Sequence, residues 1–177
     1  MEQLKSAREV RVHSLQATED GGVVVLLEEV KGSRLLPIYA GLAEGKAIAV
    51  KVNGFETPRP MTHDLIAAVV EKLGATVSRI DIHDIQDSVF LARITLTTSG
   101  GVEVFVDARP SDAINVALRA NVPIFVAGEV FSKTELVLKP IEEDEVARFK
   151  EELETADPLE ALKALEGQKA PQEPGAE

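Results

Sequence analysis

The 177-residue sequence contains no cysteine, which excludes a disulfide framework, a thiolate zinc site and a cysteine nucleophile. It contains no tryptophan, and aromatic residues make up only 4% of the chain. A stacking platform for single-stranded nucleic acid requires several exposed aromatic rings, so this kind of site is not favoured. No apolar run approaches the roughly 20 residues of a membrane span, and residues 1–5 carry no secretory signal core. We therefore expect a cytoplasmic protein that does not contact a membrane.

The negative charge of the chain is concentrated near its C-terminal end. The formal net charge is −11, and residues 141–177 hold 12 acidic and 4 basic side chains. Residues 1–140 are nearly neutral, with 18 acidic and 15 basic side chains, so they offer no basic footprint for tight binding of nucleic acid. We expect any nucleic acid to bind weakly and in a salt-sensitive manner.

This charge distribution also predicts the domain organisation. Residues 1–140 are expected to form one α+β domain, residues 141–166 an acidic helical extension, and residues 167–177 a disordered tail. The acidic extension is either a solvated arm or a segment that docks onto a protein partner.

Hydrophobic periodicity predicts an α+β fold with a mixed sheet and three main helices, rather than a regular alternation of strands and helices. The expected strands cover residues 9–16, 23–27, 34–39, 77–84, 89–98, 102–107 and 123–127. The expected helices cover residues 42–53, 62–73 and 110–120. Pro37 cannot donate to a strand ladder, so its strand is expected at an edge or with a bulge.

The second helix has two distinct sides. Thr62 is the expected N-cap, and Gly74 is the expected residue after the C-cap. One side is an apolar stripe that consists of Leu65, Ile66, Val69, Val70 and Leu73. The other side carries Asp64, Ala67, Ala68 and Glu71.

Two polar clusters stand where helices begin: Thr62-His63-Asp64, and the segment 107–112 that runs from Asp107 through Arg109 and Ser111 to Asp112. Free N–H groups at a helix start attract phosphate, and an arginine adds a bidentate donor. The expected phosphate contacts are Arg109 and Ser111. Carboxylates suit Mg²⁺ or Mn²⁺, so the expected metal ligands are Asp64, Asp107 and Asp112. His63 is the expected proton carrier, and Glu44 is a secondary candidate.

A purely structural interpretation of the same residues remains open. An acidic residue in the first turn of a helix offsets the helix dipole, and serine or threonine commonly caps a helix. Arg109 would then pair with Asp107 or Asp112, and Glu44 would pair with a lysine or an arginine. The spacing alone favours this interpretation for each cluster.

Three strings in this order give the chain a family resemblance. They are residues 36–41 (LPIYAG) followed by Glu44, residues 59–65 (RPMTHDL) and residues 106–114 (VDARPSDAI). Together, over roughly residues 8–135, the chain resembles the bifunctional nuclease domain family. The resemblance implies a compact α+β domain with a barrel-like mixed sheet, a homodimer, and activity on DNA and RNA. Gly45 departs from the alanine that is common in the family, and it slightly weakens its helix.

Two functions follow as hypotheses. The first is a metal-assisted phosphodiesterase, in which Asp64, Asp107 and Asp112 hold the ion, Arg109 holds the phosphate and His63 transfers a proton; these assignments rest on residue chemistry and on position in the family's strings. Only Arg59, Arg109 and Arg119 could surround such a cleft. The second is a non-catalytic dimeric module that binds a protein or an anionic ligand, with residues 42–50 and the Ala67/Ala68 face packed across the dimer. Convergence of the predicted carboxylates in one cleft would separate the two hypotheses.

Overall fold

The computed structural model describes residues 7–19, 21–134 and 136–138. For residues 137 and 138 it describes the backbone alone. These residues form eight strands and four helices. In chain order they are β1 (Arg8–Ala17), β2 (Val23–Glu29), β3 (Arg34–Ala40), α1 (Leu42–Val52), α2 (Thr62–Lys72), β4 (Ala75–Gln86), β5 (Val89–Thr98), β6 (Glu103–Ala108), α3 (Pro110–Ala120), β7 (Ile124–Val126), α4 (Gly128–Lys133) and β8 (Val137–Leu138). The predicted acidic extension, 141–166, and the predicted tail, 167–177, lie outside the described residues.

The strands form one mixed sheet in the order β6-β5-β4-β7-β1-β2-β3-β8. Every neighbouring pair is antiparallel except β4 and β7, which are parallel. The predicted α+β class and mixed sheet are therefore confirmed. Among the described residues the two edge strands, β6 and β8, do not pair with each other, so the sheet is open and the barrel-like closure is not observed.

The hydrophobic core lies between the sheet and the helices α1 and α3. α3 packs across β3, β4 and β5, while α1 packs against β2. Burial of the apolar face of α3 stabilises this contact, because each fully buried branched side chain contributes about 1.5–3 kcal/mol. The largest fully buried apolar side chains include Leu27, Leu36, Ile38, Ile48, Ile80, Ile82 and Ile114.

The helix α2 contacts the rest of the chain through His63, Ala67 and Val70, while most of its predicted apolar stripe is exposed. Its inward side carries the buried His63 and the half-buried Ala67 and Val70. The stripe points away from the core, and its exposed members are Leu65, Ile66, Val69 and Leu73. The predicted N-cap is corrected by one residue: Met61 is the N-cap, and Thr62 is the first helical residue. Gly74 has the expected left-handed backbone, with a φ of +76°.

β3, which contains Pro37, does not occupy the predicted edge position, because β8 lies outside it in the strand order. Among the described residues, β8 pairs with Arg34 and Leu35 and not with Pro37, which has no N–H to donate to a partner strand. α4 and β8 were not predicted. Within the described part of the chain, no helix is long and apolar enough to cross a membrane.

Candidate functional site

Three helices start with the same arrangement, an acidic side chain at the third helical position. These side chains are Glu44 in α1, Asp64 in α2 and Asp112 in α3. A carboxylate in the first turn is favourable because the free N–H groups there carry partial positive charge. α3 packs against both α1 and α2, so the three starts lie around it. Two of the three carboxylates belong to one polar network, and the third belongs to another.

The first network centres on a histidine–aspartate pair. His63 Nε2 lies 3.0 Å from Asp112 Oδ1, and only 8% of the His63 side chain is exposed. Because an ionised carboxylate can only accept a hydrogen bond, Nε2 carries the proton that joins the two residues. In the neutral ring Nδ1 then holds a lone pair, and this atom is buried without a hydrogen-bond partner among the described residues. The pair therefore fixes the tautomer and orientation of His63.

Arg109 connects this pair to α1. Its Nε donates to Asp112 Oδ2 at 2.7 Å, and its Nη2 donates to Glu44 Oε1 at 2.6 Å. A third, longer bond joins Nη2 to Asp112 Oδ1 at 3.2 Å. The Arg109 side chain is nevertheless two-thirds exposed, because it is the N-cap residue of α3 and stands at the surface. Of the two structural pairings predicted for Arg109, the one with Asp112 is present.

The charges of this network are mutually stabilised. Burial raises the pKa of Asp112, but hydrogen bonds from Arg109 and His63 more than offset this, so the pKa lies below its ordinary value. The pKa of Glu44 is lowered by its own backbone N–H and then by Arg109. The pKa of Arg109 is raised by Asp112 and Glu44 in turn. At neutral pH two carboxylates therefore share one guanidinium.

These residues form the polar end of a cavity of about 500 Å³ between α1, α2, α3 and β6. A volume of this size lies within the range of small-ligand sites. The polar lining consists of Glu44, Thr62, His63, Asp107, Arg109 and Asp112. The opposite wall is apolar and includes Ile66, Ile94, Val106 and Val116.

Asp64 belongs to a different network, although it follows His63 in the chain. Its Oδ2 accepts from the Met61 N–H at 2.8 Å, and its Oδ1 accepts from Arg119 Nε. Burial raises its pKa, while the Met61 N–H and Arg119 outweigh that effect and leave the pKa lowered. Asp64 lines a separate cavity of about 400 Å³ with Lys51 and Arg119. Successive helical residues point about 100° apart, so Asp64 faces away from the cavity of His63.

Asp107 is less suited to bind a metal ion, and Ser111 less suited to bind a phosphate, than the sequence suggested. Asp107 is exposed, and the alternation along β6 puts its side chain on the face of Phe105, opposite Val106. Arg93 lies on the same face, because its guanidinium stacks over the Phe105 ring, 5.0 Å from the ring centre. Asp107 forms no ion pair with another described residue. Ser111 is buried, which leaves its hydroxyl little access to a phosphate.

The predicted metal ligands therefore do not gather around one point. Asp64 lies in another network, and both oxygens of Asp112 already accept hydrogen bonds from His63 and Arg109. Across the residues that the structure describes, no group of three or more His, Asp or Glu side chains is placed to hold a metal ion. As they stand, Asp64, Asp107 and Asp112 do not fit the Mg²⁺ or Mn²⁺ site that the sequence suggested.

One residue that the sequence interpretation missed connects the two networks. Asn115 is fully buried, and its Nδ2 donates to the backbone oxygens of Glu44 and Ser111, each at 3.0 Å. Its Oδ1 accepts from Arg119 Nη1 at 2.9 Å. The available signal was an amide on the apolar face of α3, four residues before an arginine. Arg119, expected beside the cleft, is instead buried behind it.

Comparison with known proteins identifies one matching family model and several similar proteins. A family model described as the bifunctional nuclease domain matches residues 25–139. An uncharacterized protein of Mycobacterium tuberculosis is 37% identical over 160 residues, which is 85% of this chain and 95% of that protein. Bifunctional nuclease 1 of Oryza sativa subsp. japonica is 29% identical over 118 residues, 66% of this chain and 36% of that protein. Bifunctional nuclease 1 of Arabidopsis thaliana is 28% identical over 106 residues, 59% of this chain and 32% of that protein.

Proposed function

Because the chain belongs to the bifunctional nuclease domain family, we propose that it hydrolyses phosphodiester bonds of DNA or RNA in the cavity between α1, α2, α3 and β6. One observation carries this proposal. A buried histidine, held by a carboxylate, lies beside an exposed arginine at the polar end of a cavity of about 500 Å³. A proton carrier next to a phosphate-binding group is the minimum that such a reaction requires.

Each residue of the network has a separate role in this proposal. His63 would take a proton from the attacking water or give one to the leaving oxygen. Asp112 would hold the His63 ring in one tautomer, as carboxylates do in other histidine pairs. Arg109 would bind the scissile phosphate, with support from the N-terminal end of α3.

The charge of the network predicts weak binding of substrate. Glu44 and Asp112 already neutralise Arg109, so an incoming phosphate must compete with two carboxylates. We expect low affinity that falls as salt is added. The dependence on Mg²⁺ or Mn²⁺ stays a prediction.

The test is hydrolysis of end-labelled single-stranded DNA, double-stranded DNA and RNA, with Mg²⁺, with Mn²⁺ and with EDTA. We expect His63→Ala and Asp112→Asn each to lower the rate about 100-fold or more, since general acid–base catalysis contributes about 10²–10⁴-fold. Glu103→Gln is the control and should retain activity, because Glu103 is exposed on β6 and does not line this cavity. Hydrolysis that survives both site changes, or the absence of hydrolysis under every condition, would refute the proposal.

A non-catalytic dimeric module is the second candidate. It is favoured by the internal pairing of the network, in which Asp112 accepts on both oxygens and Arg109 is bound by two carboxylates. In that case a fluorescent oligonucleotide would bind to the protein, lose affinity in Arg109→Met and remain uncut. A protein partner for residues 141–177 also stays a prediction.

A further inference from the structure

His63 lies inside the cavity between α1, α2, α3 and β6, whereas Arg109 lies at the surface beside it. The His63 side chain is almost fully buried and that of Arg109 is two-thirds exposed, although both line the cavity. The Nδ1 atom of His63 is buried and has no hydrogen-bond partner among the described residues. A phosphate at the protein surface can therefore contact Arg109, but a group that contacts His63 has to enter the cavity.

The wall opposite these polar groups offers aliphatic surface to a molecule that enters. Ile66 of α2 and Val106 of β6 line the cavity and are exposed, so part of their surface is free for contact. The more deeply buried Ile94 and Val116 line the same cavity. Apolar side chains that line a cavity beside a few convergent polar groups are typical of a ligand site.

We propose that this aliphatic wall is a subsite for the base of an unpaired nucleotide whose phosphodiester lies between Arg109 and His63. The assignment rests on the proposed nuclease function, because it places the scissile phosphate at the same polar end. A nucleotide matches both parts of the cavity, since its charged phosphate is joined to a flat base with two weakly polar faces. Ile66 and Val106 would pack on one of these faces, so loss of their aliphatic surface should weaken the binding of the nucleotide.

A duplex cannot present such a nucleotide to the cavity without being opened. In a duplex each base is paired and stacked, and enzymes that bind a base in a pocket act on single strands or first extrude the nucleotide at a cost in free energy. Residues 1–140 carry nearly balanced charge, so they offer little attraction to the backbone of an opened duplex. We therefore expect single-stranded DNA and RNA to be the substrates.

The charge of the polar end favours a phosphodiester over a phosphomonoester. Glu44 and Asp112 bring two carboxylates to the single guanidinium of Arg109. A diester carries one negative charge, whereas a monoester carries about 1.5–2 near neutral pH and is repelled more strongly. Hydrolysis adds the hydroxyl of water to phosphorus and a proton to the leaving oxygen, so one product is a monoester. The same charge therefore favours release of that product.

Binding tests the subsite without requiring hydrolysis. The probes are the dinucleotide TpT, which joins two thymidines through one diester, and dimethyl phosphate, which has the same charge and no base. We expect NMR titrations of the wild-type protein to give TpT an affinity about tenfold higher or more. Equal affinities would overturn the proposal. Thymidine 5′-monophosphate should bind more weakly than its methyl ester, and the reverse order would show that the charge argument is wrong.

Matched variants locate the base. Val106→Asn should lower the affinity for TpT about fivefold or more and leave that for dimethyl phosphate unchanged, because it removes aliphatic surface and no charge. Val104→Asn is the control, since Val104 shares the face of Val106 on β6, is 42% exposed against 40%, and does not line the cavity. Ile66→Asn, with Val69→Asn as its control, gives a second such pair on α2. If the folded members of both pairs bind TpT equally, the base does not lie on this wall.

Hydrolysis separates this inference from the nuclease proposal. We expect the wild type to cut a single-stranded oligonucleotide about tenfold faster or more than the same strand in a blunt duplex, because the duplex must first open. Equal rates would refute the unpaired substrate and leave the nuclease proposal intact. Binding of TpT that depends on Val106, without hydrolysis of any substrate, would refute the nuclease proposal and leave the base subsite intact.

Discussion

Asp64 is a structural partner of Arg119 in this fold, and this role makes a measurable prediction. Arg119 reaches from the last turn of α3 to the first turn of α2, and only 4% of its side chain is exposed. Besides Asp64, its guanidinium donates to Asn115 Oδ1 at 2.9 Å and to the Asn115 carbonyl at 3.2 Å. Arg119→Met retains most of the stem and removes every one of these donors. Asp64→Asn retains the shape and removes the negative charge.

The magnitude follows from the unequal burial of the pair. Removing one partner of a fully buried ion pair costs about 3–5 kcal/mol, whereas an exposed pair contributes about 0–1 kcal/mol. Asp64 is 35% exposed, so solvent screens part of the interaction. We expect Arg119→Met to lower the free energy of unfolding by about 2–3 kcal/mol, since Asn115 also loses a donor. Asp64→Asn should cost about 1–2 kcal/mol, with a coupling energy between the two changes of about 1–2 kcal/mol.

The assay is urea unfolding of the wild type, the two single variants and the double variant, followed by circular dichroism. Asp107→Asn serves as the control and should stay within about 0.5 kcal/mol of the wild type, because its carboxylate is exposed and has no described partner. The opposite result would restore Asp64 as a metal ligand. In that case Asp64→Asn would leave unfolding unchanged, and Mn²⁺ would raise the melting temperature of the wild type but not of the variant.

Two further predictions concern α1 and the histidine pair. A Cβ on Gly45 would lie 2.5 Å from Val23 Cγ2. We therefore expect Gly45→Ala to lower the free energy of unfolding by about 1–2 kcal/mol, although alanine has the better helix propensity. This loss should largely disappear when Val23 is also changed to alanine. Burial raises the pKa of Asp112, but hydrogen bonds from Arg109 and His63 outweigh it, so the pKa is lowered. The ionised Asp112 should therefore stabilise the fold above pH 3.8, and this stabilisation should be lost as the pH falls through the folded-state pKa. Urea midpoints measured from pH 6 to pH 3 should fall less steeply for Asp112→Asn than for the wild type.

Much of the fold could be predicted because local signals and tertiary structure agree there. The hairpin after β5 is an example, since Gly101 supplies the left-handed backbone that the turn needs. α4 and β8 gave no such signal. They contain six and two residues, too few for a hydrophobic period, and only tertiary contacts stabilise them. The stripe on α2 shows another limit, because an apolar stripe fits a protein core and an interface equally well.

The residues of the candidate site could be found, but their grouping could not. His63 and Asp64 are neighbours in sequence, and only the orientation of α2 decides that they face different cavities. Glu44 entered the network through a contact with Arg109, which is 65 residues away in the chain and which no local pattern encodes. Asn115 was missed because its place on the apolar face of α3 indicates burial, whereas its contact with the Glu44 backbone depends on how α1 and α3 are placed.

The two arginines at the ends of α3 have different roles: Arg119 contributes to stability, and Arg109 contributes to the proposed chemistry. Arg119, at the last turn, holds the start of α2 through a partly buried bond to Asp64. Arg109, before the first turn, holds the start of α1 through Glu44, but it is two-thirds exposed and screened by water. Exchanging the partners of Arg109 for a phosphate therefore costs less folding free energy than the same exchange at Arg119, whose own charge is buried. For this reason an anionic substrate fits the Arg109 end of α3, where the histidine–aspartate pair also lies.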